Sequence, residues 1–253
     1  MKINNTGQKL TRIPSVMIAL PVYNEEKVLK ESVETLVAFL EKHRNYDWKI
    51  VIADNNSQDS TGDIGRNLSS RNPLIQYLNI PQKGLGIALK TSWAMADTDF
   101  VSYMDIDLST SLEALILAID LLVNGADIVT ANRLDKRSVL KRCFKREIVS
   151  QCYNLLLKIG LGVRFHDAHC GFKTARRSVA QKLLPLIEDN GFFFAAELLF
   201  YAERLGYTIV EIPVTWNEDP NTKANIPKDA FDDLCGIFRL KFKNRLKAVD
   251  KQI

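Results

Sequence analysis

The chain alternates short apolar, β-branched runs with stretches of helical periodicity, and this leaves few folds open to it. Residues 15–20 (SVMIAL), 48–53 (WKIVIA), 74–78, 100–104 and 127–131 read as strands. Between the first two, Val28, Leu29, Val33, Leu36, Val37 and Leu40 recur at helical spacing. Residues 87–96 and 112–123 carry further helical patterns. Strands alternating with helices predict a doubly wound, mostly parallel α/β sheet with helices on both faces. Such sheets hold ligands outside the carboxyl ends of their strands. The first strand is expected to stop at Pro21. Asn24 is then expected to cap the next helix, with Glu25 and Glu26 in its first turn, where the dipole favours anions.

Three of the strands run into polar residues suited to a ligand. The fourth ends in Asp105-Ile106-Asp107. In extended backbone, residues i and i+2 point to one side, so the two carboxylates would aim together. Hard oxygen ligands of this kind suit Mg²⁺ or Mn²⁺, which complete their shells with water and phosphate oxygens. The second strand ends at Asp54-Asn55-Asn56-Ser57, where a carboxylate is placed to accept hydrogen bonds from a base or ribose. Lys83-Gly84-Leu85-Gly86 enters the helix after the third strand. There glycines would let the backbone approach a diphosphate and Lys83 would add charge. Each string alone is common: an Asp-x-Asp turn usually caps a helix, and Gly-x-Gly is usually a plain helix entry. Their agreement on one sheet edge carries the weight. The absence of Gly-x-Gly-x-x-Gly after the first strand argues against a dinucleotide oxidoreductase.

After Ala131 the character changes. Arg133, Lys136, Arg137, Lys141, Arg142, Lys145 and Arg146 interleave with Leu134, Val139, Leu140 and Phe144. A basic amphipathic segment reads as a membrane-surface contact or as a solvated helix face. Residues 153–159 form an apolar helix ending at Gly160. His166, His169 and Cys170 follow, with no second cluster of the kind a zinc site needs. Glu197, in an apolar helix over 193–205, is expected to be a paired structural carboxylate. Residues 207–214 read as a strand and 216–226 as a polar loop containing Lys223. Phe231, Leu234, Phe238, Phe242 and Leu246 recur at helical spacing near the end. The reading is one domain over residues 13–226, with a basic amphipathic helix over 227–253 packed on the domain or on a membrane surface.

Of the 253 residues, 46% are hydrophobic and 25% charged, as in an ordinary globular protein. A net charge of +4 is too mild to indicate nucleic acid. Four cysteines without a CxxC pair suggest free thiols. No signal peptide and no run near ~18 apolar residues is visible, so the expectation is a cytoplasmic protein, peripheral on the cytoplasmic face of a membrane.

Taken together, the motifs resemble those of the inverting family-2 glycosyltransferases of GT-A fold. The likeness is greatest to the polyprenyl-phosphate branch, the dolichyl-phosphate glucosyltransferases and mannose synthases. It rests on Pro21-Val22-Tyr23-Asn24-Glu25-Glu26, the Asp54 to Thr61 base motif, Lys83 to Gly86, Asp105-Ile106-Asp107, Asp167-Ala168-His169-Cys170-Gly171-Phe172-Lys173, and Glu211 to Trp216 with Thr222-Lys223. Asn55 and Asn56 depart from the Asp-Gly usual in the base motif. The membrane spans of many relatives are missing, leaving a soluble protein, a peripheral one, or one held by a membrane-anchoring partner subunit.

The resemblance implies transfer of a hexose from a nucleotide diphosphate sugar, UDP-glucose before GDP-mannose, to a polyprenyl phosphate with inversion. It assigns Pro21, Tyr23, Glu25, Asp54, Asn55, Lys83, Gly84, Asp105 and Ile106 to the donor. Asp105 and Asp107 would hold Mg²⁺ or Mn²⁺, and Arg133 and Lys223 would bind the acceptor phosphate. Asp107, Asp167 and Arg133 would be catalytic. Two readings compete: transfer to a sugar hydroxyl in surface polysaccharide assembly, and a non-catalytic nucleotide-sugar-binding subunit.

Overall fold

The structure, a computed structural model, describes residues 12–141, 144–217 and 226–242; for 141, 144–149 and 226–229 only the backbone is described. The first half lays down β1 (Ser15–Val22), α1 (Leu29–Leu40), β2 (Asp47–Asp54), α2 (Thr61–Arg71), β3 (Ile75–Asn79), α3 (Leu85–Ala94), β4 (Phe100–Met104), α4 (Glu113–Val123) and β5 (Ile128–Ala131). The second half adds β6 (Val139–Lys141), α5 (Phe144–Leu161), β7 (Phe172–Arg176), α6 (Arg177–Leu183), α7 (Phe194–Arg204), β8 (Ile209–Ile212), β9 (Thr215–Asn217) and α8 (Ile226–Phe242).

Seven strands form one sheet in the order β3-β2-β1-β4-β7-β5-β8. β7 runs antiparallel to both β4 and β5, and the other pairings are parallel. β6 and β9 form a separate parallel pair. Alternation along the strands builds two cores. Val16, Ile18 and Leu20 of β1 pack on the face that carries α1 and α4, while Met17 and Ala19 face the layer of α3, α6 and α7. The order of strands reverses between β1 and β4, so the crevice for a ligand lies at the carboxyl ends of these two.

The structure corrects several boundaries. β1 continues through Pro21 to Val22. Its pairing with β4 ends at Ala19, so on that side Pro21 faces no neighbour that needs its missing N–H. Asn24 caps no helix: it has a φ of 55°, and α1 begins only at Leu29. Phe172–Arg176, to which sequence reasoning assigned no strand, is a central strand. The fully buried Lys173 and Thr174 hide it from any hydropathy pattern. Part of the expected loop over 216–226 is strand β9; Lys223 lies outside the described residues.

Candidate functional site

The loops after β1 and β2 are tied into one surface. The Asn24 N–H donates to Ser57 Oγ (2.9 Å), and Asn24 Oδ1 accepts from the Gln58 N–H (2.8 Å). The Glu25 N–H donates to Thr61 Oγ1 (2.8 Å), and the Ser60 N–H to the Glu26 carboxylate (3.0 Å). Asp54, buried at the end of β2, accepts from the Ser57 N–H (2.9 Å) and the Tyr77 hydroxyl (2.6 Å). Burial first, and this hydrogen bond second, push Tyr77 up to about 12, so it serves as a donor that fixes Asp54. The neighbouring Asn55 is also buried, and its Oδ1 has no partner among the described residues. Lys83 sits with its ammonium 3.8 Å from the Tyr23 ring centroid, joining the β1 loop to the entry of α3.

That entry differs from an open phosphate cradle. The Gly86 and Ile87 N–H groups donate to the carbonyls of Gly191 (3.1 Å) and Asn190 (3.2 Å). The glycines make room for this loop. Gly84 has a φ of 148°, and a Cβ on it would lie 2.1 Å from Asn190 O. The loop is anchored in turn by Glu197, which accepts from the Glu188 (2.8 Å) and Asp189 (2.9 Å) N–H groups and pairs with Arg239 of α8. In this arrangement the charge at the α3 entry comes from Lys83, while the Gly86 and Ile87 amides are already engaged.

After β4 the chain turns instead of running on extended. Leu108 has a φ of 51°, and its N–H donates to the Asp105 carbonyl (3.1 Å). Asp107 Oδ1 accepts from the Ser109 N–H (2.9 Å). Ile106 is buried in the core and offers the site only its backbone. Burial, with the charge of Asp107 added, pushes Asp105 up to about 7. Its carboxylate makes no hydrogen bond to a described side chain. A half-buried carboxylate beside an exposed one is a donor set that a divalent cation fits, since the cation removes the repulsion that helps raise the pKa. Among the described residues no third His, Cys, Asp or Glu joins them.

The antiparallel β7 brings residues 167–171 to this same edge. The Asp105 N–H donates to Gly171 O (3.1 Å), and a Cβ on Gly171 would fall 1.8 Å from the Asp105 carboxylate. Lys173 holds the loop from beneath, donating to the carbonyls of Ala168 (2.7 Å) and Cys170 (2.9 Å). Burial brings Lys173 down to about 8 and pushes the Cys170 thiol up to about 12. Sequence reasoning missed Lys173 and Tyr77 as elements of the site, because neither stands in a strand-end loop.

Arg133, just after β5, forks onto Asp167: Nε to Oδ2 (2.8 Å), Nη2 to Oδ1 (2.9 Å), with the backbone N–H also on Oδ2 (2.9 Å). The guanidinium lies 4.9 Å from the Trp216 ring centroid. Asp167 is fully buried. Burial alone would raise it, but Arg133 outweighs this and holds it below the usual carboxylate range. A carboxylate so held orients the arginine and is poorly suited to act as a base. The basic stretch is therefore broken up: Arg133 turns into the site, Arg137 pairs with Asp135 (2.7 Å), and Val139–Lys141 is a strand. Arg142 lies outside the described residues.

Pro21, Tyr23, Glu25, Asp54, Asn55, Lys83, Gly84, Asp105, Asp107, Arg133 and Asp167 thus all belong to segments at one sheet edge. The glycosyl transferase family 2 profile matches residues 17–184, which contain every one of them. The chain belongs to glycosyl transferase family 2. Among curated relatives of this family-2 chain, glycosyltransferase AglD of Haloferax volcanii is 30% identical over 85% of the chain and 35% of its own length. Dolichyl-phosphate beta-glucosyltransferase ALG5C of Trichomonas vaginalis is 28% identical over 82% and 65%. Polyprenol monophosphomannose synthase of Mycolicibacterium smegmatis is 27% identical over 80% and 77%. The chain thus spans about a third of the first relative and just under two thirds of the second. Glucosyl-3-phosphoglycerate synthase from Mycobacterium tuberculosis, solved with Mn²⁺, UDP and glucosyl-3-phosphoglycerate, superposes with a TM-score of 0.65 at 18% identity, covering 90% of this chain and 80% of that one. The fold is accordingly the GT-A fold.

Proposed function

We infer that this family-2 chain transfers a hexose from a nucleotide diphosphate sugar to a polyprenyl phosphate, with inversion and with help from a divalent cation. The observation that carries this reading is the meeting, at one sheet edge, of two carboxylates for a cation and an arginine for an anion. Asp105 and Asp107 would hold Mg²⁺ or Mn²⁺, which would supply neutralising charge for the leaving diphosphate. Asp54, set by Tyr77, would accept from the base or ribose, and Lys83 would add charge near the donor. Arg133 retains N–H groups beyond those given to Asp167, and these would bind the acceptor phosphate. Asp167 holds that guanidinium in place. A phosphate monoester has a second pKa of about 6 and is mostly ionised at neutral pH, so its attack needs no strong general base. That Asp167 is held low by Arg133, and so is a poor base, agrees with a phosphate acceptor better than with a hydroxyl. The relatives named for dolichyl-phosphate glucosyl transfer and for polyprenol mannose transfer support the same acceptor class. UDP-glucose is the favoured donor, with GDP-mannose second.

The test is a screen of nucleotide sugars against short polyprenyl phosphates with Mn²⁺ or Mg²⁺, read by mass spectrometry. Glycosyl polyprenyl phosphate is the expected product; transfer only to free hydroxyls would replace this reading. A separate expectation concerns Asp54. Contacts to a base are made equally in ground and transition states, so Asp54→Ala should raise the donor KM about tenfold while kcat stays within a few-fold. An unchanged donor KM would remove Asp54 from the site.

A further inference from the structure

Charged groups that the proposed chemistry does not use gather around residues 187–191, between α8 and the entry of α3. Three carboxylates meet one guanidinium there. Arg239 Nε lies 3.2 Å from Glu197 Oε1 and 3.5 Å from Glu188 Oε2, and its Nη2 lies 3.6 Å from Asp189 Oδ2. Glu197 is fully buried, while the other three are partly so. Lys90 of α3 also reaches this loop, but through the carbonyls of Ile187 and Glu188 (3.4 Å each). Among the described residues, Arg239 is thus the cation that pairs with all three carboxylates. Without it their like charges would face one another, and Glu197 would keep a buried charge met only by the Glu188 and Asp189 N–H groups.

What Arg239 gathers is the wall on which the α3 entry rests. Asp189 Oδ1 accepts from the Gly191 N–H (2.7 Å), which turns the loop so that the carbonyls of Asn190 and Gly191 receive the Ile87 and Gly86 N–H groups. A Cβ on Gly86 would fall 2.6 Å from Asp189 O, so this contact is as close as the one at Gly84. Gly84 follows Lys83 directly, and the Lys83 ammonium lies on the Tyr23 ring. On the other side, α8 is fitted to the same segment. A Cβ on Gly236 would lie 2.4 Å from the Phe193 ring, and the Arg239 guanidinium lies 5.9 Å from that ring's centroid. Close packing on both sides leaves no slack, so a shift of the loop is passed on to the α3 entry.

We propose that Arg239 is a positioning residue for the donor. By gathering Glu188, Asp189 and Glu197 it fixes residues 187–191; the loop sets Gly84, and Gly84 sets the reach of Lys83 toward the donor diphosphate. This step rests on the donor reading above. It gives a part in the donor site to a loop and a helix that both lie beyond the family-2 profile, which ends at residue 184.

The test uses the full chain, with UDP and GDP in the presence of Mn²⁺ as probes and calorimetry as the measurement. Arg239→Met should weaken binding of the preferred nucleotide about tenfold, while the KM for a short, water-soluble polyprenyl phosphate stays within about twofold. Arg239→Lys keeps a cation without the planar fork and should lose only about threefold. Because the effect runs through Lys83, adding Arg239→Met to Lys83→Met should cost less than about a further twofold, where independent sites would multiply. Leu240→Ala loosens the packing of α8 but keeps the arginine, so nucleotide binding should stay within about twofold even where stability falls. Hydrogen exchange without any nucleotide should show the Gly86 and Ile87 amides less protected in Arg239→Met and unchanged in Leu240→Ala. Nucleotide binding that Arg239→Met leaves unchanged, full multiplication with Lys83→Met, an equal loss in Leu240→Ala, or unaltered exchange at Gly86 and Ile87 would overturn the proposal. An unaltered chain that binds neither UDP nor GDP, while Arg239→Met still loosens those amides, would overturn the donor reading instead, and the role of Arg239 toward the donor with it.

Discussion

Asp105→Asn or Asp107→Asn should lower sugar transfer by a factor of about a hundred or more, the scale of losing one electrostatic group aimed at developing charge. The fold should survive both changes. The Asp105 carboxylate makes no hydrogen bond to a described side chain, and Asn fits where Asp does. At Asp107, the amide oxygen still accepts from the Ser109 N–H. Stability should move the other way in chelator-treated protein. Asp105 stands at about 7 in the folded chain against 3.8 unfolded, so the folded state binds the extra proton between those values. Its contribution to stability is therefore full below about pH 4 and is lost as pH rises through 7. Asp105→Asn, neutral throughout, should raise the Tm of metal-free protein at pH 8 and lose that advantage near pH 4. Added Mn²⁺ should raise the Tm of the unaltered chain and leave that of the variant nearly unmoved. Full activity of the unaltered chain in excess chelator would remove the cation from the reading.

What the sequence disclosed here was decided by chemistry at strand ends. β1, the second half of β2, and β4 are runs buried on both faces and followed by polar residues where the sheet stops, while β3 at the sheet edge is partly exposed. β1, β2 and β4 could be read in that way, and their loops with them. β7 could not. It is antiparallel and central, and it buries Lys173 and Thr174, so its polar residues mimic a loop. Lys173 is satisfied by carbonyls of its own preceding turn, a tertiary arrangement that leaves no periodic trace. The glycines of Lys83-Gly84-Leu85-Gly86 were visible, but their reason was not. They admit the backbone of residues 189–191, about a hundred positions away, and a sequence cannot distinguish close approach by a loop from close approach by a phosphate. At Asp105 and Asp107 strand alternation predicts that the carboxylates share one side, whereas the chain there has left the extended conformation and closes a turn from the Leu108 N–H onto the Asp105 carbonyl.

Arg133 and Asp167 offer the sharpest separation of structure from chemistry. Arg133→Met should cost about 3–5 kcal/mol of stability, since it strands the charge of the fully buried Asp167. The loss of transfer in that variant alone would therefore say little about catalysis. The double change Arg133→Met with Asp167→Asn removes both charges and keeps a side-chain oxygen for the backbone N–H of position 133. Most of the stability should return, because an uncharged pair of similar volume can replace a buried ion pair at little net cost. The coupling between the two single changes should be large, as expected for side chains in direct contact. Transfer to a water-soluble polyprenyl phosphate should remain at least about a hundredfold down, because the charge-assisted fork for the acceptor phosphate is gone. Urea denaturation of the four proteins, set beside initial transfer rates, makes the measurement. If transfer recovers together with stability, Arg133 is a structural partner of Asp167 and the acceptor phosphate is bound elsewhere. If stability recovers and transfer does not, the buried pair is the mount and the arginine is the part that meets the substrate.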